Sequence, residues 1–271
     1  MKSQKEIALD GKLLESVAAL GLSERASKMA KLVLEDDEIQ AVQEYANTVS
    51  IMRLHFNDHG PVHMRTVALN AVIMMGILRD AGVKTSLELE ECGVFEDSLI
   101  AVFLAANLHD LGMSVGRQDH ELHSAYLAFP ILDRVLKEVF GRDAGKRAMI
   151  RSLALEGISG HMGNRAIHSL EAGVILVADG CDMQKGRARI PLALAAHPRV
   201  GDIHQYSANS IEDVRILRGV EKPIRIEVTM SSEVGLFQVE EILLGKIAAS
   251  PAKGHIELYA QVSGGGLKRY L

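Results

Sequence analysis

Over most of the first ~200 residues, apolar side chains recur three and four positions apart, with little β-branched alternation. That spacing predicts helices over roughly 3–20, 23–33, 35–54, 61–82, 96–109, 119–139, 143–156 and 167–185. Pro61 suits the first position of its helix, where a missing N–H costs nothing, and Gly186 suits a helix C-cap. Near residue 205 the pattern changes. "DVRIL" and "PIRIEVTM" alternate as strands do, a helical run follows in "EVGLFQVEEILLGKIAAS", and "GHIELYAQV" alternates again before "SGGG" breaks it. The expected fold is mainly α: an all-helical body over 1–205 and a small β-β-α-β module over 206–271.

Polar residues interrupt the apolar faces at a few places, and burying them costs several kcal/mol each unless they find partners. His63 shares a helical face with Val67, Ala71, Met74 and Leu78. In "NDHGPVH" it stands four residues after His59, so the two rings converge if the helix starts early; otherwise Asn57 or Asp58 caps the helix and His63 is a satisfied core histidine. His109 and Asp110 end the apolar run "SLIAVFLAANLHD", either as a hydrogen-bonded pair or as two edges of a shared site. His120 and His123 are three apart, so at most one faces inward. His161 lies between glycines in "ISGHMGN", either reaching into a site or standing on a surface loop. Asp179 follows "VILVA", with Asp182 one turn on, where packing alone does not explain a carboxylate. One ion, or a pair, would satisfy His63, His109, Asp110 and Asp179 together, with His120 and His161 nearby. Imidazole and carboxylate without thiolate suit a divalent Mn, Fe, Co, Ni or Zn, with Mg compatible, one or two per chain.

Composition narrows the partners. The net charge of -5 over 271 residues offers no electrostatic footprint for duplex DNA or an anionic membrane. Few aromatic residues and no basic stripe disfavour a long nucleic acid. The 2 cysteines, Cys92 and Cys181, form no disulfide framework or metal spacing, and the N-terminus lacks a signal-peptide core. No apolar run reaches ~18 residues, so no membrane span and a cytoplasmic location are expected.

The order of these residues resembles the HD superfamily of metal-dependent phosphohydrolases, in which a histidine early in one helix, a His-Asp pair ending another and a late aspartate bind metal. "HMRTVALNA", "AANLHDLGM" and "ILVADGCDM" look like the three elements, and the resemblance covers roughly 50–185. It implies an HD-type helical core in which His63, His109, Asp110 and Asp179 ligate a first metal, Asp110 being able to bridge to a second. His120 and His161 match the additional histidines of binuclear members. The chain departs from the pattern where Met113 replaces a frequent lysine and where only ten residues separate His109 from His120. It also lacks the "GYP" signature of the cyclic-di-GMP branch. The tail resembles a small module appended to uncharacterised archaeal and bacterial HD proteins.

The implied reaction is hydrolysis of a phosphate ester, in a small phosphorylated molecule or a nucleotide, by a metal-activated water. Asp110 would position the water and His123 would handle protons, with His59 and Asp58 as alternatives. A diiron oxygenase with the same ligands and a non-catalytic nucleotide-binding regulator are the competing readings. In "DMQKGRAR", Lys185 and Arg187 either end the helix or hold substrate phosphate. The uncovered sheet edge of the tail is the expected surface for a homo-oligomer.

Overall fold

The computed structural model describes residues 2–184 and 202–271. Ser3 opens the first helix: its hydroxyl accepts from the Glu6 N–H while the Glu6 carboxylate accepts from the Ser3 N–H. The helices that follow are α1 (Gln4–Ala19), α2 (Glu24–Leu34), α3 (Asp37–Thr48), α4 (Pro61–Asp80), α5 (Ser86–Leu89), α6 (Phe95–Leu108), α7 (His120–Phe140), α8 (Ala144–Gly160) and α9 (Leu170–Cys181). Every residue of α6 except Glu96 is buried. A helix apolar on all sides belongs at a centre, and α4, α8 and α9 pack around it. On α4 the predicted stripe faces that centre: His63, Val67, Ala71, Met74 and Leu78 are all buried. Pro61 occupies the first turn of α4, as its missing N–H favours.

Among the helix boundaries that differ from the sequence expectation, two shape the site. The eighth helix runs on to Gly160, so His161 ends a helix rather than lying in a loop. The ninth starts at Leu170, where the Ser169 hydroxyl accepts from the Ala172 N–H, and stops at Cys181 rather than near 185. Asp182 leaves helical geometry (φ -86°, ψ 65°), and its carboxylate bonds to the His63 ring. Gly186, proposed as a cap, lies outside the described residues.

The C-terminal part is the small α+β module that the alternation predicts. After α10 (Asp202–Ser210) come β1 (Ile211–Arg218) and β2 (Ile224–Met230), an antiparallel hairpin. A π-helical turn and α11 (Leu244–Ala249) cross over to β3 (Ile256–Val262), which lies parallel to β2. The short β4 (Lys268–Arg269) closes the order β1-β2-β3-β4. Ile224, Ile226, Val228 and Met230 of β2 and Ile256, Leu258 and Ala260 of β3 are buried, and they join the helical body in one apolar cluster. α11 lies against α9, which brings a lysine of the module to the site.

Among the described residues only α4 is long and apolar enough to cross a membrane by composition, and 67% of that window is buried inside the protein.

Candidate metal centre

Each of four imidazoles enters the centre from an element end. His63 lies in the first turn of α4 and His109 directly follows α6. His120 opens α7, and His161 follows α8. All four are buried. Their tautomers follow from their outer partners, because a carbonyl can only accept. The Nδ1–H of His109 donates to the Ala106 carbonyl at 2.9 Å, that of His120 to Arg117 at 3.0 Å and that of His161 to Ile158 at 2.7 Å. In each case the acceptor lies three residues back. For His109 and His161 it is a carbonyl left over at a helix end. His63 donates from Nδ1 to Asp182 Oδ2 at 2.7 Å. Each ring therefore turns an Nε2 lone pair inward, the arrangement that outer acceptors impose on metal-ligating histidines.

The inward nitrogens meet in pairs: Nε2 of His63 and His109 are 3.1 Å apart, and so are those of His120 and His161. Two lone pairs at that distance repel unless a cation lies between them. The carboxylates complete two groups. Around His63 and His109, Asp110 Oδ2 stands 3.1 and 3.4 Å from the two nitrogens, and Asp179 Oδ1 stands 3.3 and 3.8 Å away. Around His120 and His161, Asp110 Oδ1 lies at 3.2 and 3.4 Å. Ligands ~2.1 Å from an ion are about 3.0 Å apart when octahedral neighbours and about 3.4 Å apart when tetrahedral. Both groups have edges of that size. Asp110 Oδ1 is buried and has no hydrogen-bond partner among the described residues, so it adds an orphaned acceptor at the second group. His109, His161 and Asp179 also converge closely enough to share an ion. The residues present fit a divalent cation, and the sharing of Asp110 fits two.

Electrostatics keep the donors in ligating form. Burial pushes the His161 imidazole down to about 4, so it is neutral near pH 7. Burial alone would raise both aspartates. The neighbouring imidazoles, His109 first and then His59 and His120, hold Asp110 well below the usual carboxylate range. For Asp179 the Lys246 ammonium does most of that work, followed by His63 and His109. Lys246 reaches in from α11, ion-paired to Asp179 Oδ2 and donating to the His161 carbonyl at 2.9 Å. The Cys181 thiol is buried and pushed up, which suits packing rather than nucleophilic attack.

These shifts predict a pH dependence in chelator-treated protein. The folded-state pKa of His161 lies below the ordinary ~6.5, so the unfolded chain takes up the proton first. Its contribution is fully present above about pH 6.5 and is lost as the pH falls toward about 4, by up to ~3 kcal/mol. The lowered aspartates act in the same direction but below about pH 4. Urea melts across pH 4–7 should show this loss in the metal-free wild type and a flatter profile in His161→Gln. Equal slopes would refute it.

Of the residues singled out in the sequence, the structure brings His63, His109, Asp110, Asp179, His120 and His161 together. His59 precedes α4, and its Nδ1 lies 2.6 Å from the Asn57 carbonyl oxygen. His123 lies on α7 one turn from His120, with a buried Nδ1 that has no hydrogen-bond partner. Lys185 and Arg187 lie outside the described residues. Three neighbours had no assigned role in the sequence. Asp182 stood out only as one turn ahead of Asp179, Arg117 lies three residues before His120, and Lys246 comes from another module with no local signal.

A mainly α protein with a buried His/Asp cluster able to hold metal is the class that this fold and site define. The chain is 42% identical over 230 residues to Uncharacterized protein MJ1020 of Methanocaldococcus jannaschii, covering 85% of this chain and 86% of that protein. It belongs to the same family. No protein-family model and no solved structure matches it.

Proposed function

We propose that the protein is a metal-dependent phosphohydrolase that cleaves a phosphate ester in a small phosphorylated molecule. The observation that carries this reading is Asp110, which turns one oxygen toward each of two adjacent ligand groups. His63, His109, Asp110 and Asp179 would hold one ion, and Asp110, His120 and His161 a second. Paired divalent ions supply charge neutralisation on phosphoryl oxygens and lower the pKa of a bound water toward ~7. The four Nδ1–H bonds fix the rings and turn each Nε2 toward the centre. Lys246 occupies Asp179 Oδ2 and leaves Oδ1 for ligation. His123 Nδ1 is the candidate to give or take a proton, because among the described residues it has no hydrogen-bond partner.

The resemblance to HD phosphohydrolases supports the same reaction. The test is phosphate release from a panel of phosphomonoesters, nucleotides and cyclic nucleotides with Mn, Mg, Co or Ni. The expected result is turnover on part of the panel that chelation abolishes and metal restores. Metal-loaded protein that is silent across the panel but consumes oxygen with iron would replace this reading with an oxygenase.

A further inference from the structure

The loop before α7 carries one cation that the metal ligands do not explain. The Arg117 carbonyl accepts from His120 Nδ1–H, and the Arg117 side chain curls around the same ring to bring Nη1 within 3.4 Å of Nε2. The half-buried guanidinium lies over the Phe56 ring, its Cζ 5.6 Å from the centroid. The acids nearest in sequence are already engaged: Arg165 lies 4.0 Å from Asp119 and 3.8 Å from Glu121. Among the described residues no carboxylate forms an ion pair with Arg117.

From this geometry we infer that Arg117 binds the substrate, gripping one oxygen of a terminal phosphoryl group, and that the substrate class is therefore a phosphomonoester rather than a diester. The inference rests on the phosphohydrolase reading above. His120 Nε2 has one lone pair. It cannot both accept from Arg117 and ligate an ion, so ligation leaves an N–H of Arg117 beside the site without its acceptor. A guanidinium so placed favours an oxyanion, to which it donates in a planar fork.

Stereochemistry then separates the substrates. A diester has two non-ester oxygens, both of which a pair of ions would engage. A terminal phosphoryl group has a third, which is available to Arg117. Charge points the same way. Two divalent ions with Arg117 and Lys246 outweigh Asp110, Asp179 and Asp182 by about three charges, a field that favours a dianion over a monoanion.

The test uses manganese-loaded full-length protein, titrated calorimetrically with inorganic phosphate and with dimethyl phosphate, with metal content measured in parallel. In the wild type, phosphate should bind at least about tenfold more tightly than dimethyl phosphate. Arg117→Gln should keep its metal and lose at least about tenfold in phosphate affinity, with Arg117→Lys falling between. Unchanged phosphate affinity in Arg117→Gln overturns the proposal while leaving the phosphohydrolase reading intact. Loss of metal in Arg117→Gln also overturns it, by making the residue a support for His120. A fully metal-loaded wild type that binds no phosphate overturns both.

Discussion

On the phosphohydrolase reading proposed above, Asp110→Asn should cost the protein its bound metal and essentially all phosphate release. No other residue of the cluster has its two oxygens on two ligand groups: Oδ2 faces His63 and His109, and Oδ1 faces His120 and His161. The amide keeps the shape but removes the negative charge and replaces one acceptor by a donor. Changes to outer partners of metal ligands typically cost about 10–100-fold in metal affinity, and loss of a shared ligand should exceed that. Activity should fall by at least about 10²–10³-fold, the range that removal of one preorganised charge-stabilising group costs. His63→Ala and His120→Ala serve as the graded comparison, each expected to lower metal content by part of the wild-type amount. Elemental analysis of purified protein is the measurement, with circular dichroism to show that the variant folds. Stoichiometric metal in Asp110→Asn would remove the shared-ligand assignment.

The largest expected stability effect comes from a residue that ligates nothing. Gly112 follows the His-Asp pair and lies against the first turn of α7. A Cβ there would meet the His120 carbonyl oxygen at 2.0 Å and the Ser124 nitrogen at 2.5 Å. Both are backbone atoms, so no side-chain rotation relieves the clash. The Gly112 N–H also donates to the Ser124 hydroxyl at 2.8 Å, a bond that depends on the same close approach. Gly112→Ala must push α7 away from the end of α6, and with it His120 from Asp110. Overpacking usually costs about 1–3 kcal/mol, and contact with two backbone atoms of the first turn of α7 places this case at or above the top of that range. At roughly 2–4 °C per kcal/mol for a chain near this size, Tm should drop by about 6–12 °C. The variant should also hold less metal at its second position than the wild type. A Tm within about 2 °C of the wild type would show that the approach is not needed.

The helical body, the small module and the inward faces were legible because periodicity reports burial directly. The stripe from His63 to Leu78 and the almost entirely apolar second half of α6 had to face the core. His63, His109, Asp110 and Asp179 stood out for the complementary reason, as polar groups on faces that otherwise avoid water. Sequence by itself therefore determined which side chains needed partners. Whether they partner one another was a matter of tertiary structure. His63 and His109 come from helices that touch only because both pack in the same core, and their Nε2 atoms meet across 46 residues of chain. His161 read as a loop residue because the glycines on either side mask the last turn of α8. Asp182 could be assigned to His63 only once the chain was seen to leave the helix at Cys181. Lys246 was beyond any local pattern. Its salt bridge spans 67 residues and exists because the crossover of a parallel β-α-β unit lays α11 against α9. A pattern of apolar spacing encodes what each element must bury, whereas the direction of one long side chain across a module boundary depends on how the finished elements pack.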